Sequence, residues 1–161
     1  MDKRDYKQPR VGVDVIVLKG NKILLHKRKN VGGSGTWAFP GGHLEFNEDI
    51  KDCAKREVME EAGVTVERLE KRGVLEFEFE GNPEIMEVHI FGTSDFAGEP
   101  KESDEMAPQW FSANELPFDK MWPDDRHWMP FFLAGKKFAG KFLFQGTDKI
   151  IDINLNEVHK L

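Results

Sequence analysis

DIKDCAKREVMEEAGV, residues 49–64, has the pattern of an amphipathic helix that carries charges on its apolar side. At about 100° per residue, one arc of this helix collects the apolar side chains of Ile50, Cys53, Ala54 and Val58. Glu57 and Glu61 fall inside the same arc, and Glu60 lies at its edge. A carboxylate that faces an interior is costly unless it is paired or bound to a metal. The pattern therefore predicts a partner for these glutamates.

The composition of the chain fits one domain over residues 1–161. Of these residues 39% are hydrophobic and 32% are charged, which is enough for one buried core. The net charge of -6 and the lack of a long Lys/Arg run give no support for binding a nucleic acid polymer, although a single nucleotide is not excluded. The lone Cys53 indicates a packing role in a reducing compartment. Residues 1–10 lack the apolar run of a signal peptide and no stretch is long enough to span a bilayer, so we expect no membrane partner and a cytoplasmic location.

The remaining pattern predicts a sheet flanked by two helices, which is an α+β fold or a mixed α/β sandwich. Asp49 is the expected N-cap of the first helix and Gly63 its expected stop. A second helix is expected over residues 123–135, opened by Pro123 and broken or bent near Pro130. The stretches that read as strands are residues 11–18, 22–28, 72–80, 85–93, 141–146 and 149–155.

Glu57, Glu60 and Glu61 are spaced i, i+3 and i+4, so their side chains converge on one helix face. One interpretation is a solvated acidic face that Lys55 and Arg56 balance. The other is a metal site, and oxygen ligands in this number suit Mg²⁺ or Mn²⁺ better than zinc. The five histidines are scattered, and we expect each to be a surface residue or a satisfied core residue.

Residues 42–64, GHLEFNEDIKDCAKREVMEEAGV, resemble the Nudix box of the Nudix hydrolases, G-x5-E-x7-R-E-U-x-E-E-x-G-U with U aliphatic. The fixed positions are met by Gly42, Glu48, Arg56, Glu57, Val58, Glu60, Glu61, Gly63 and Val64. The resemblance implies a Nudix fold, with a mixed β-sheet sandwiched between α-helices. It also implies a hydrolase that uses Mg²⁺, or Mn²⁺, to cleave a diphosphate linked to a variable moiety.

The resemblance also implies roles for individual residues of the box. The metal ligands that it implies are Glu57, Glu60, Glu61 and the carbonyl group of Gly41. Glu48 would pair with Arg56, and this pair would orient Glu57. Gly41 and Gly42 would allow the substrate to approach the backbone closely. The base that takes the proton from water stays open between Glu61 and a carboxylate outside the box.

The Gly-rich stretch before the box does not indicate another phosphate-binding motif. GSGTWA, residues 33–38, fits G-x-G-x-x-A but continues into FPGG rather than into a helix. The lysine pattern of a P-loop is absent from the sequence. We therefore reject both a dinucleotide-binding fingerprint and a P-loop.

Beyond the box, residues 73–158 resemble the MutT-like members of the family that hydrolyse oxidised purine nucleoside triphosphates. The matching stretches are FEFEGNPEIMEVHIF, ESDEM, MWPDD and KFAGKFLFQGTDKIIDINLNEV. By this resemblance Phe77 and Met86 would line the base pocket, and Glu105 would add a carboxylate on the metal side. A monomer is implied as well.

The same resemblance implies that Trp122 stacks on the base and that Asp124 and Asp125 read its edge. An indole suits a flat purine, and two adjacent carboxyl groups can act as acceptor and donor if one keeps its proton. The alternative is an ordinary helix N-terminus, where carboxylates favour the dipole. One departure concerns Ala38, because these relatives carry Asn directly after the Trp of this loop, which is Trp37 here.

Three hypotheses follow from the sequence. The favoured one is Mg²⁺-dependent hydrolysis of modified purine nucleoside triphosphates, such as 8-oxo-dGTP and 2-hydroxy-dATP, to the monophosphate and pyrophosphate, which would clear damaged nucleotides. The second is a Nudix hydrolase of another nucleoside diphosphate derivative, such as a nucleotide sugar or a dinucleoside polyphosphate. The third is a catalytically silent nucleotide-binding module. Loss of the Asn amide at Ala38 leaves the preferred purine open.

Overall fold

A computed structural model describes residues 9–29 and 35–161. The predictions for the first eight residues and for part of the Gly-rich stretch lie outside this description. The strands are β1 Arg10–Lys19, β2 Lys22–Arg28, β3 Trp37–Ala38, β4 Gly41–His43, β5 Thr65–Val66, β6 Glu70–Phe79, β7 Asn82–Thr93, β8 Phe96–Ala97, β9 Met106–Ser112, β10 Lys137–Gln145 and β11 Lys149–Val158. The helices are α1 Ile50–Ala62 and α2 Asp125–Leu133, with a 3-10 turn at Phe118–Lys120.

Nine of the described strands form one mixed sheet. Its main order is β11-β10-β6-β7-β1-β2-β3, and β4 and β9 join it by pairing with β1 and β2. The pairs β1 with β7 and β6 with β10 are parallel, whereas the other pairs are antiparallel. The two short strands β5 and β8 pair with each other outside this sheet. The predicted mixed sheet is confirmed.

Helix α1 begins and ends where its sequence predicts. The Asp49 side chain accepts a hydrogen bond from the backbone N–H of Lys51 at 2.9 Å and so caps the first turn. Gly63 ends the helix with φ 75°, a left-handed conformation that glycine adopts without steric cost. The buried side chains of the helix are Cys53, Ala54, Val58 and Ala62.

Two hydrophobic cores lie on opposite faces of the sheet. The first packs α1 against Val13, Val15 and Val17 of β1. The second packs α2 against Ile16 of β1 and against side chains of β6, β7 and β10. Successive side chains of a strand point to opposite faces, so β1 contributes to both cores in alternation. The sheet is therefore sandwiched between the helices, as the sequence predicts.

Helix α2 differs from its prediction in two respects. It begins at Asp125 rather than at Pro123, and it continues through Pro130 to Leu133, so of the predicted break or bend near Pro130 the break is wrong. A proline inside a helix removes one backbone hydrogen bond, but Trp128 and other side chains on either side of Pro130 are buried in the second core. Tertiary packing of the buried face outweighs the lost hydrogen bond. No helix in the described part of the chain is long and apolar enough to cross a membrane.

Candidate active site

A cavity of about 400 Å³ opens where β1, β4, β6 and β7 approach the start of α2. This volume lies within the range of small-molecule sites. The residues that line it are Gly12, Val13, Asp14, His26, Arg28, Ala38, Phe39, Gly41, Gly42, His43, Glu61, Phe77, Phe79, Met86, Val88, Met106, Trp122, Asp124 and Asp125. The cavity thus collects residues from the box and from the proposed base site, which are far apart in sequence.

The five residues predicted to bind the base all line this cavity. Phe77 and Met86 are cross-strand partners on β6 and β7 and contribute apolar walls. The Trp122 ring meets Phe144 edge-on at 6.0 Å between centroids, and 48% of the tryptophan stays exposed. A large aromatic side chain that is only half covered has a ring surface free to stack on a ligand.

Asp124 and Asp125 are buried, which an ordinary helix N-terminus does not require. Asp124 occupies the N-cap position without capping, and its Oδ2 instead accepts a hydrogen bond from the indole N–H of Trp128 at 2.9 Å. Burial raises the pKa of both carboxyls. The charge of Asp124 and a hydrogen bond to it raise the pKa of Asp125 further, which favours the protonated form of Asp125. A pair with one protonated carboxyl group can offer one donor and one acceptor to a ligand.

Arg56 organises the catalytic helix. Its Nε donates to Glu48 Oε2 at 2.7 Å and its Nη2 donates to Glu48 Oε1 at 2.9 Å, which makes a bidentate ion pair. Its Nη1 also donates to Glu57 Oε1 at 2.7 Å. Hydrogen bonding to Arg56 lowers the pKa of Glu48 to about 2. The geometry links Glu48 to Glu57 through Arg56, while the orienting role of the pair stays a prediction.

Glu57 and Glu61 face inward and Glu60 faces outward, as the helix arc predicts. The side-chain exposures are 12% for Glu57, 17% for Glu61 and 58% for Glu60. Burial raises the pKa of Glu57, and the neighbouring charge of Glu61 adds to this effect against the opposing hydrogen bond from Arg56. The inward pair of carboxylates carries more negative charge than Arg56 alone compensates.

Two donors fix the carboxylate of Glu61. The backbone N–H of Gly41 donates to Glu61 Oε2 at 2.9 Å, and His26 Nε2 lies 2.9 Å from the same oxygen. His26 Nε2 also lies 3.2 Å from the carbonyl oxygen of Phe39. Since both neighbours are acceptors, we assign the proton of His26 to Nε2. His26 is thus a buried and satisfied histidine, which agrees with the expectation from sequence.

The glycines at the start of the box leave room for these carboxylates. A Cβ atom on Gly42 would lie 2.3 Å from the carboxyl carbon of Glu57. A Cβ atom on Gly41 would lie 2.1 Å from the carbonyl oxygen of Val13. Only glycine fits at either position without movement of its neighbours. Strand β4 therefore approaches α1 and β1 more closely than any side chain would permit.

The predicted metal ligands do not all meet. Glu105 is exposed, and its backbone carbonyl accepts from the N–H of Lys29 at 2.7 Å. Of the predicted ligand residues Glu57, Glu60, Glu61, Glu105 and Gly41, only Glu61 and Gly41 line the cavity. Within residues 9–29 and 35–161, no three acidic, histidine or cysteine side chains converge as a metal-binding group. The metal assignment stays a prediction.

The sequence reasoning missed three residues of the cavity wall that carry chemistry. Asp14, His26 and Arg28 line the cavity beside the predicted residues. Asp14 had a detectable signal, since it is a single charge within the apolar strand VGVDVIVL. His26 and Arg28 had none, because polar residues are common near the end of a hairpin strand.

Comparisons with known proteins identify the family of this protein. The NUDIX domain model matches residues 8–132. The chain belongs to the Nudix hydrolase family. As a Nudix hydrolase it is an enzyme of a family that generally uses divalent cations. The predictions of family, fold and hydrolase activity are confirmed.

Two relatives and one solved structure cover nearly all of this Nudix hydrolase. It is 46% identical over 144 residues to the oxidized purine nucleoside triphosphate hydrolase of Mus musculus, covering 89% of this chain and 92% of the mouse protein. It is 46% identical over 147 residues to the same-named protein of Danio rerio, covering 91% and 94% of the two chains. The crystal structure of a MutT protein from Bacillus halodurans superimposes with a TM-score of 0.82 at 25% identity, over 91% of this chain and 97% of that one.

Proposed function

We propose that this Nudix hydrolase cleaves oxidised or otherwise modified purine nucleoside triphosphates, such as 8-oxo-dGTP and 2-hydroxy-dATP, to the monophosphate and pyrophosphate. One observation supports this proposal most directly. The same cavity joins the half-exposed Trp122 and the buried Asp124 and Asp125 to Glu61 of the Nudix box. The mouse and zebrafish proteins, named for this activity, align with most of the chain that forms that cavity.

The base would be held by groups that the cavity already orients. The exposed ring of Trp122 stacks on the purine, and Phe77 and Met86 cover its far side. Asp125 donates a hydrogen bond to the base edge and Asp124 accepts one. Because oxidation at C2 changes the donors and acceptors on this edge, a pair that offers one of each distinguishes 2-hydroxyadenine from adenine.

The donor set fits a hard divalent cation, Mg²⁺ or Mn²⁺. Glu57 and Glu61 are mostly shielded from water, and burial raises the pKa of Glu57, to which the negative charges of Glu61 and Glu60 add; a cation would compensate these charges. The residues that would hold the cation are Glu57, Glu60, Glu61, Glu105 and the carbonyl of Gly41. When bound, the cation neutralises the charge of the diphosphate and makes a coordinated water more acidic.

The side chains of this protein would then position the reaction. Arg56, clamped by Glu48, holds the Glu57 carboxylate in one orientation. The N–H groups of Gly41 and His26 fix one oxygen of Glu61 and leave its other oxygen to accept a proton from water. We propose Glu61 as the general base on this ground.

We also propose the domain organisation, the oligomeric state and the location of the protein. We expect one Nudix domain over the whole chain, which acts as a monomer in the cytoplasm on free nucleotides and binds neither nucleic acid polymers nor membranes. The buried Cys53 is consistent with a reducing compartment, since burial raises the pKa of its thiol to about 12 and the protein has no second cysteine. Sedimentation at micromolar concentration tests the oligomeric state.

The deciding experiment is steady-state hydrolysis with Mg²⁺ of 8-oxo-dGTP, 2-hydroxy-dATP, O6-methyl-dGTP, dGTP, dATP and ADP-ribose, with chromatographic separation of the products. We expect monophosphate and pyrophosphate from a modified purine, at a kcat/KM at least about 10-fold above that of the matching normal nucleotide. Preference for ADP-ribose, or no turnover of any triphosphate, would contradict the proposed substrate.

Glu61→Gln tests whether turnover needs the carboxylate of Glu61. Loss of the general base lowers kcat by about 10²- to 10⁴-fold. The isosteric amide leaves the residues that bind the purine unchanged. The matched control is Glu99→Gln, which makes the same change at an exposed position outside the cavity and leaves kcat unchanged. Equal activity of Glu61→Gln and wild type would exclude Glu61 as the base.

A further inference from the structure

Asp14 is a carboxylate inside the cavity wall that the proposed mechanism does not use. It lies in β1 between Val13 and Val15, which pack into the core under α1. Because side chains alternate along a strand, Asp14 points to the opposite face, where it lines the cavity together with Asp124 and Asp125. A charged side chain at the centre of a buried strand requires a partner.

No partner for this carboxylate is found among the residues that the structure describes: neither a hydrogen bond nor an ion pair engages its oxygens. Instead, the side chains that line the cavity together with Asp14 include the carboxyl groups of Glu61, Asp124 and Asp125. The surroundings are therefore acidic, and a group that donates hydrogen bonds would be stabilised there.

The position of Asp14 is fixed by its neighbours. Asp14 pairs with Gly41 on the antiparallel strand β4, and a Cβ atom on Gly41 would lie 2.6 Å from Asp14 Oδ1. The N–H of the same Gly41 donates to Glu61. The Asp14 carboxylate thus lies beside the Gly41 backbone, which donates to Glu61 of α1, and it shares the cavity wall with Asp124.

This location matches one position of a bound purine nucleotide. In a purine, N7 lies between the edge that pairs with another base and the side nearest the 5′-phosphates. If Asp124 and Asp125 hold the edge and Glu61 acts at the phosphates, Asp14 faces N7. Oxidation at C8 changes N7 from an acceptor to an N–H donor. The methyl group of Ala38, on the same wall, offers no polar contact to this donor.

We propose that Asp14 is a specificity-determining residue that accepts a hydrogen bond from the N7–H of an 8-oxopurine. The inference rests on the proposed function, and it assigns lesion recognition at N7 to a residue outside the Nudix box. An intact purine presents a lone pair at N7 and is repelled by the carboxylate, so the same side chain favours the oxidised base and rejects the normal one.

The test compares wild type with Asp14→Asn, which keeps the shape but removes the charge, and whose amide can donate to the N7 of an intact purine or accept from the N7–H of an oxidised one. We expect the ratio of kcat/KM for 8-oxo-dGTP over dGTP to fall about 10- to 100-fold, and the ratio for 8-oxo-dATP over dATP to fall with it. The ratio for 2-hydroxy-dATP over dATP should stay within about 2-fold, because N7 is identical in both. Asp152→Asn is the control, since it makes the same charge change on the exposed strand β11.

A binding measurement without metal gives a readout independent of turnover. Calorimetric titration with 8-oxo-dGMP and dGMP should show the same loss of discrimination in Asp14→Asn. An equal loss for all nucleotides, or an unchanged ratio of oxidised to intact purine, would overturn the role of Asp14 while leaving the proposed function in place. A wild-type enzyme with no preference for 8-oxopurines would overturn the inference through the proposed function itself.

Discussion

At the scale of the single residue, Arg56 connects the parts of the catalytic helix. Its guanidinium donates to Glu48, Glu57 and Glu60, the last at 3.3 Å. These hydrogen bonds raise the pKa of Arg56, so the residue is a permanent cation. A planar guanidinium meets several carboxylates in fixed directions, which the single ammonium group of Lys does not do. One cation thereby contacts three carboxylates of the box and partly balances their charge.

The ion pair between Glu48 and Arg56 gives a pH-dependent contribution to stability. The pKa of Glu48 is lowered to about 2 in the folded protein, so the contribution is fully present above the ordinary glutamate pKa and is lost as the pH falls through about 2. We expect the difference in urea midpoint between wild type and Glu48→Gln to be constant above about pH 5 and to shrink steadily below it.

The contrary outcome is a difference that grows as the pH falls. It would mean that Glu48 is stabilised in its protonated form, in conflict with the ion pair. Glu115→Gln, at an exposed position just after β9, controls for the general effect of removing one negative charge.

The sequence predicts the direction of a side chain well where a single helix or strand determines its environment. The inward direction of Glu57 and Glu61 follows from helix periodicity alone. The contact between His26 and Glu61 does not, because it needs a hairpin strand and a helix that only the complete sheet brings together. Asp14 was overlooked for a different reason: the β-branched neighbours define the strand so strongly that one charge does not change the prediction of its type.

At the scale of the element, the spacing between β4 and α1 determines whether the box functions. Gly42→Ala would place a methyl group within 2.3 Å of the Glu57 carboxyl carbon. We expect kcat to fall by about 10²-fold or more, because Glu57 must leave its position beside Arg56. The free energy of unfolding should fall by roughly 1–3 kcal/mol through overpacking.

Gly20→Ala provides the comparison for this variant. Gly20 lies in the turn between β1 and β2 with φ 61°, and a methyl group added there would meet no atom within 4 Å. Its substitution strains the backbone and lowers stability without touching the site, so kcat per folded molecule should stay at the wild-type value. Loss of activity in proportion to stability in both variants would contradict a specific role for the spacing between β4 and α1.

Long elements are predictable here and short ones are not. The alternation of Leu75, Phe77 and Phe79 predicts β6, and all three side chains pack in or against the core under α2. Strands β3, β4, β5 and β8 have two or three residues each, too few to show a period. β9 contains Pro108, which argues against a strand, yet it pairs only with β2 at the border of the sheet.

At the scale of the whole molecule, cation binding should be visible as stability. A ligand that binds only the folded state adds about 2.7 kcal/mol when its concentration is one hundred times its Kd. For a domain of this size that corresponds to a rise in Tm of roughly 5–10 °C. We expect Mg²⁺ or Mn²⁺ to produce such a rise in a thermal melt, with chelator reversing it.

The inward carboxylates should be responsible for that rise. Glu61→Gln is expected to reduce it by more than half, whereas Glu99→Gln, on the protein surface away from the cavity, should retain it. An equal rise in both variants would assign the cation to another place, and the absence of a rise in wild type at millimolar Mg²⁺ and Mn²⁺ would contradict the metal assignment.

The sequence predicts the layers of the molecule and leaves their connectivity open. Two amphipathic helices and several alternating strands are sufficient to predict a sandwich. The parallel pairing of β1 with β7 is not predictable in this way, because both strands would present the same alternating faces in an antiparallel arrangement. Strand order depends on long-range contacts, and this order brings Asp14, Met86 and Asp124 to the wall of one cavity.

The sheet that separates the two cores has a consequence for how such an enzyme diversifies. Helix α1 is anchored in one core, and Trp128, which donates a hydrogen bond to Asp124, is anchored in the other. Substitutions in separate cores act almost independently. A lineage can therefore alter which nucleotide it accepts through mutations around α2 while inheriting its chemistry unchanged, so that new specificities arise from an old catalyst by small and separable steps.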